Sequence, residues 1–233
     1  MNRFCHYELR TADVDAARAF YSDLLDARFW DDSFSVGELP ARAAASGAPP
    51  HWLGHIAVDD VAGTMLKFVR SGATRIGPLA RAGGHGPAAV LRDPFGAIVA
   101  LTSASPVPGA DRVAWHLLNA RDEALAFAMY AELFGWTSVQ AVDLGAENGR
   151  HVTFTWDGAT EAVGSTSNGA RLPHVHPQWL FFFPTDNLEE SLARVRAGGG
   201  RTLPVVVTAE GSLVAACDDP QGAAFGLHQA IVR

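Results

Sequence analysis

His6 and Glu8 stand two residues apart in the β-prone run Phe4-Cys5-His6-Tyr7-Glu8-Leu9-Arg10. Side chains alternate along a strand, so both project from one face. An imidazole and a carboxylate held side by side are the ingredients of acid–base chemistry, and the imidazole titrates close to neutral pH. His55 lies two residues beyond Leu53 and shares that residue's face, and Glu38 stands in Val36-Gly37-Glu38-Leu39. The remaining histidines carry weaker signals. His174-x-His176 sits in a proline-flanked loop and would need further metal ligands that the sequence does not supply. His85, in Gly83-Gly84-His85-Gly86-Pro87, reads as part of a turn, with a substrate-gating loop as the alternative. Cys5 and Cys217 are too few for a disulfide framework or a thiolate metal site, and both read as small buried apolar groups. No Ser-His-Asp arrangement follows from spacing. Gly198-Gly199-Gly200 follows a helix instead of opening one, which is the wrong order for a phosphate loop.

Composition narrows the partners. The chain has 233 residues, 48% of them apolar, enough for two cores of ordinary size. A formal net charge of −7 and the lack of a Lys/Arg cluster argue against nucleic acid. The first residues, Met1-Asn2-Arg3-Phe4-Cys5-His6, meet polar side chains before any apolar run, and no stretch approaches a membrane span, so a cytoplasmic protein is expected.

The elements that position these residues are announced by an internal repeat. Trp52-Leu53, Val58-Asp59-Asp60-Val61, a helical run and Ser71-Gly72 recur as Trp179-Leu180, Thr185-Asp186-Asn187-Leu188, a helical run and Gly198-Gly199. Asp93-Pro94-Phe95-Gly96-Ala97 recurs as Asp219-Pro220-Gln221-Gly222-Ala223, each before an apolar strand. A weaker pair links Ala19-Phe20-Tyr21 with Ala128-Met129-Tyr130. Four strand-then-helix units result, an α+β organisation. The spacing predicts helices capped by Asp13, Asp60, Asn119 and Asp186 or Asn187, with Asp186 and Glu189 placed as a capping box and Gly72, Gly135 and Gly198 as terminators. The runs 152–156 and 213–217 read as strands. Between Asp32 and His51 strand residues are few and alanines many, so the first unit is expected to lack part of its sheet. The small, proline-containing run 103–111 reads as a connection, dividing the chain into domains 1–105 and 112–233 around a linker at 106–111.

On these residues the chain resembles the vicinal oxygen chelate superfamily of glyoxalases, bleomycin-resistance proteins and extradiol dioxygenases. The carriers of the likeness are Asp13 to Asp26, Ala126 to Gly135, Asp93 to Leu101 and Asp219 to Leu227. The segments Phe4–Leu9, Ala48–Gly54 and Asp219–Leu227 are further similar to a two-domain bacterial branch called glyoxalase-like or hydroxylase-like. The resemblance implies four βαβββ modules, the first shortened, forming two half-barrels with concave pockets. It also implies where a divalent ion would be held: on the opening and closing strands of each module pair, by His, Gln or Glu. Those positions fall on His6, Leu53 and Ala100 in the first half and on Trp115, Leu180 and Gly226 in the second. Only His6 among them can ligate a metal. The expectation is therefore no metal cofactor, with a trio of His6, Glu38 and His55 binding Fe, Mn or Zn as the alternative.

In the family register Trp115, Gln178, Leu180, Phe182 and His228 line an apolar second pocket, and His6, Glu8, Leu53 and His55 a more polar first one. Three functions follow as expectations. The first is a small-molecule binder in which His6 and Glu8 carry any catalysis. The second is a metal-dependent lyase, isomerase or dioxygenase of the first half. The third is a dimerisation module with filled pockets. A small organic ligand is the expected partner, with no membrane or nucleic acid, acting as a monomer or homodimer. The first half is expected to hold the more open and more reactive site.

Overall fold

The computed structural model describes residues 2–77, 80–81, 87–103, 112–156, 158–208 and 210–231. His85 and the linker 106–111 lie outside the described residues. The first module comprises β1 (Phe4–Thr11), α1 (Val14–Leu24), β2 (Phe34–Glu38) and the short α2 (Ala41–Ala45). The second has β3 (His51–Ala57), α3 (Val61–Arg70), β4 (Thr74–Arg75), β5 (Ala80–Arg81), β6 (Pro87–Arg92) and β7 (Ile98–Thr102). The third has β8 (Trp115–Asn119), α4 (Glu123–Phe134), β9 (Thr137–Asp143), β10 (Arg150–Thr155) and β11 (Gly164–Ser167). The fourth has β12 (Gln178–Pro184), α5 (Leu188–Ala197), β13 (Arg201–Thr202), β14 (Val206–Val207), β15 (Leu213–Asp218) and β16 (Ala224–Gln229).

One sheet runs β2-β1-β3-β7-β6-β4 with β5 on β6; the other runs β13-β15-β16-β12-β8-β11-β10-β9 with β14 on β15. β2 joins β1 in parallel as β11 joins β8, so the two are counterparts. Between helix and counterpart strand the third module inserts β9 and β10, and the first has none, which is the expected shortening. The stretch 32–51 is nevertheless more ordered than its composition suggests, holding β2 and, in its alanine run, α2. No helix among the described residues is long and apolar enough to cross a membrane.

Asp13 and Asp60 cap α1 and α3 as expected, their carboxylates accepting from Ala16 and Gly63 N–H. The cap of α4 is Asp122, not Asn119, because β8 continues through Asn119 and the helix opens three residues later. Asn187 rather than Asp186 caps α5, accepting from Glu190 N–H, which moves the third helical position off Glu189. Gly135 closes α4 in the left-handed region at φ 74°, whereas Gly198 is at φ −76° and the positive φ falls on Gly199.

By compactness the chain divides into two units, each drawing on both sequence halves: residues 1–5, 54–108 and 116–179, and residues 6–53, 109–115 and 180–233. In the first unit, the Asp93 carboxylate accepts Phe95 and Ala97 N–H, each at 2.9 Å, closing the Asp-Pro-x-Gly turn before β7. Its other oxygen accepts the Tyr130 hydroxyl of α4 at 3.0 Å, and that hydroxyl accepts the Trp179 indole N–H of β12 at 3.0 Å. Phe68, Phe134 and Trp136 surround Tyr130, and Trp136 stacks on Phe154 at 4.7 Å.

The second unit repeats this chemistry. Asp219 accepts Gln221 and Ala223 N–H at 2.9 Å and the Tyr21 hydroxyl at 3.2 Å, and Trp52 donates to Tyr21 at 3.0 Å. Trp30, Phe29 and Phe183 pack around Trp52. The residues that define the sequence repeat are those of this relay. An unpaired buried polar group is expensive, so each member is held in place by the others.

Burial raises Asp93 from the ordinary 3.8 to about 6, against the pull of its hydrogen bonds; Asp219 is raised for the same reason. Folding therefore takes up a proton at Asp93 between those values, favouring the native state below the window and ceasing to do so as pH rises through it. Wild-type stability should fall relative to Asp93→Asn by on the order of 3 kcal/mol as pH rises through that window. Urea unfolding at either end measures this, and a pH-independent difference would show an ordinary carboxyl. Tyr130→Phe, which leaves the Asp93 oxygen and Trp179 N–H without their partner, should lower unfolding stability by about 1–3 kcal/mol.

Candidate functional site

Along β1 the side chains divide cleanly. Tyr7, Leu9 and Thr11 are buried, while His6, Glu8 and Arg10 are half-buried on the opposite face. The parallel register with β2 sets Glu8 against Ser35 and Arg10 against Gly37, extending that face. On β3, Trp52 points to the Tyr21 relay, so His51 and Leu53 lie on its other side. His6, Glu8, Arg10, Ser35, His51 and Leu53 all belong to the second compact unit.

His6 is held at both ring nitrogens. Nδ1 lies 3.0 Å from the Asp32 carbonyl oxygen and Nε2 2.8 Å from Ser35 Oγ. A carbonyl only accepts, so Nδ1 carries a proton, and in the neutral ring Nε2 is the acceptor of the Ser35 hydroxyl. Glu8 and Arg10 form a two-point ion pair, with contacts of 2.7 and 2.8 Å and side-chain exposures of 18% and 23%. Burial holds the His51 imidazole below its usual range; the Pro49 carbonyl opposes this, Arg10 adds to it and Glu8 opposes it. The face thus offers a hydroxyl, two imidazoles, a carboxylate and a guanidinium beside the buried Leu53. Such a set can orient a polar ligand and move a proton.

The trio His6, Glu38 and His55 does not form a metal group. Glu38 is exposed and pairs with Thr11, five positions along β1 from His6, a separation of roughly 16 Å. His55 is buried on β3 in register with Ala100, in the other compact unit. Among the described residues no three His, Cys, Asp or Glu side chains gather as a metal group.

In the second half, Gln178, Leu180 and Phe182 share one face of β12, and Trp179, Phe181 and Phe183 the other. Register places Gly226 beside Phe182 and His228 beside Pro184. A Cβ at Gly226 would overlap the Phe182 ring. Leu180 and Phe182 are buried, His228 is half-buried with its imidazole lowered by burial, and Trp115 and Gln178 are partly exposed at strand starts. The closing-strand position where the resemblance implies a carboxylate ligand is thus covered by an aromatic ring.

Arg10, Ser35 and His51 were missed by sequence reasoning. Arg10 and His51 are one alternation step from Glu8 and Leu53 and could have been found, whereas Ser35 required the β1–β2 register. His116 was missed as well. It is fully enclosed, stacks on Phe4 at 5.1 Å, donates to the Val163 carbonyl, and is driven by burial to about 4, so it is neutral and structural. A separate cleft of about 310 Å³ is lined by Asp143, Arg150, Asn168, Arg171 and Leu172. Its arginines are already engaged, Arg150 with Glu123 at 3.5 Å and Arg171 with the Arg121 carbonyl at 2.6 Å. None of the residues singled out in the sequence lines it.

Paired half-barrel modules with polar groups on the free sheet face define a class, and comparison with known proteins gives the family. The profile of the Glyoxalase/Bleomycin resistance protein/Dioxygenase superfamily matches residues 3–101 and 111–227, and the chain belongs to that superfamily. A Mycobacterium tuberculosis protein named "Putative glyoxylase CFP32" is 29% identical over 94% of this chain and 92% of its own length, as is its Mycobacterium bovis counterpart. The 2,3-dioxygenase LapB of Pseudomonas sp. KL28 has a TM-score of 0.63 at 12% identity, over 99% of this chain and 92% of that one. A Mn(II)-bound glyoxalase of Novosphingobium aromaticivorans has a TM-score of 0.62 at 11% identity, over 98% and 82%. These two share the fold.

Gly226→Ala should destabilise the protein by about 1–3 kcal/mol in denaturant unfolding, because the new methyl meets Phe182. Pairing it with Phe182→Ala should recover part of that loss; additive losses would mean the ring does not occupy this position.

Proposed function

We propose that this superfamily member binds a small organic molecule on the β1–β2–β3 face of the second compact unit, and does so without the divalent ion used by metal-dependent relatives. The observation that carries this reading is the chemistry of the positions the family uses for ligands. Leu53, Ala100, Trp115, Leu180 and Gly226 have no metal-binding side-chain atom, and both nitrogens of His6 are already bonded within the protein. What remains around His6 is a mixture of hydrogen-bonding groups and apolar floor, the usual composition of an organic-ligand site. His6 and Glu8 serve as its acid–base pair. The aromatic second-half face, with Phe182 seated over Gly226, is read as a closed structural layer.

Two measurements test this. Protein purified without chelators should hold well under one equivalent of divalent metal by elemental mass spectrometry; a full equivalent lost in His6→Ala would overturn the proposal. In a fluorescence titration with 1-anilinonaphthalene-8-sulfonate as probe, His6→Ala should weaken binding about ten-fold, roughly 1.4 kcal/mol, and Phe182→Ala should leave it nearly unchanged. The reverse order would place the ligand in the second half.

A further inference from the structure

We propose that Ser35 is a nucleophile activated by His6, and that the first-half sheet face transfers the acyl group of a small carboxylic ester to water. Sequence spacing gives no hint of it, because Ser35 and His6 meet only through the β1–β2 register. Three observations carry the assignment.

The first is polarity. The Asp32 carbonyl fixes the proton on Nδ1, so the lone pair of neutral His6 at Nε2 is directed at the Ser35 hydroxyl 2.8 Å away. That is the arrangement of a serine, its base and the group that orients the base, with a backbone carbonyl in the third role. The second is access. Ser35 and His6 are both only partly buried, and the next residue on that face of β2 is Gly37, which places no side chain beside the hydroxyl.

The third is an internal counterpart. Ser165 on β11 pairs with Leu117 of β8 as Ser35 on β2 pairs with Glu8 of β1. Ser165 also bonds a histidine, His151 Nδ1 at 3.0 Å, whose Nε2 donates to the Asn148 carbonyl at 3.0 Å. There β10 lies alongside β11, and Ser165 is 1% exposed. The first module has no strand in that place, so Ser35 takes its histidine from β1 instead, and at the edge of the sheet the pair is left open to a ligand.

The steps balance without a redox partner. Ser35 Oγ attacks the acyl carbon as its proton passes to His6 Nε2. The acyl carbon–oxygen bond then breaks, and the departing alkoxide takes that proton. Water attacks the acyl-serine, giving a proton to Nε2, and Ser35 Oγ leaves and recovers it. The products are a carboxylic acid and an alcohol.

The assignment rests on the ligand face proposed above, yet the two fail separately. The full chain is treated with a fluorophosphonate, and the adduct is located by peptide mass spectrometry. The expected result is one phosphonyl group on Ser35 and none on Ser165, abolished in Ser35→Ala and slowed about 100-fold or more in His6→Gln. With p-nitrophenyl acetate, the wild type should carry an acetyl group on Ser35, a readout that does not depend on any variant folding. Wild-type protein that takes neither label at Ser35, or a His6→Gln protein labelled at the wild-type rate, would overturn the nucleophile. If the anilinonaphthalene probe binds at this face while Ser35 stays unlabelled, only the nucleophile falls. If Ser35 is labelled but the probe's binding ignores His6, the nucleophile stands and the ligand-face proposal falls.

Discussion

A buried carboxylate that accepts a tyrosine hydroxyl, which in turn accepts an indole N–H, is the constraint around which each compact unit is built. One carboxylate oxygen closes the Asp-Pro-x-Gly turn and the other receives the phenol, so a turn, a helix and an opening strand are fixed by three side chains. Breaking any link exposes the others to the desolvation penalty of an unpaired buried group, which exceeds the modest net gain of making the bond. The aromatic shells around Tyr21 and Tyr130 keep water from replacing the missing partner.

That constraint also assigns the faces of the sheets. Because Trp52 and Trp179 must reach the tyrosines, their strand neighbours at alternate positions are forced to the other side. In the second half those positions are spent on Leu180 and Phe182, the latter packed over a glycine. In the first half they carry His51 and Leu53, and β1 adds His6, Glu8 and Arg10. The halves therefore share a frame and differ in what the frame leaves free.

Much of this frame was legible in the sequence. The repeat marked Trp52 and Trp179, Tyr21 and Tyr130, and Asp93 and Asp219, although nothing in the one-dimensional pattern showed that they bond to one another. Two of the helix caps were legible from Asp13 and Asp60. Asp122 was missed because β8 runs to Asn119, and strand ends depend on pairing rather than on residue type. The shortened first module was visible as a shortage of β-branched residues, but β2 was not, since Phe34-Ser35-Val36-Gly37-Glu38 becomes a strand by docking on β1. For the same reason His6 and Glu8 were recognisable as chemistry, whereas Ser35 was not. The trio with Glu38 failed because residue types were matched without the register that spaces them.

The crosswise make-up of the compact units has a bearing on how the chain is born. The unit that holds the His6 face needs residues 6–53 together with residues 180–233. An isolated first half would present Tyr21 without Asp219, and Asp93 without Tyr130. During synthesis residues 6–53 must therefore wait, incompletely packed, until residues 180–233 leave the ribosome, and contacts so distant in sequence fold slowly. Each half of the repeat thus completes the core of the other.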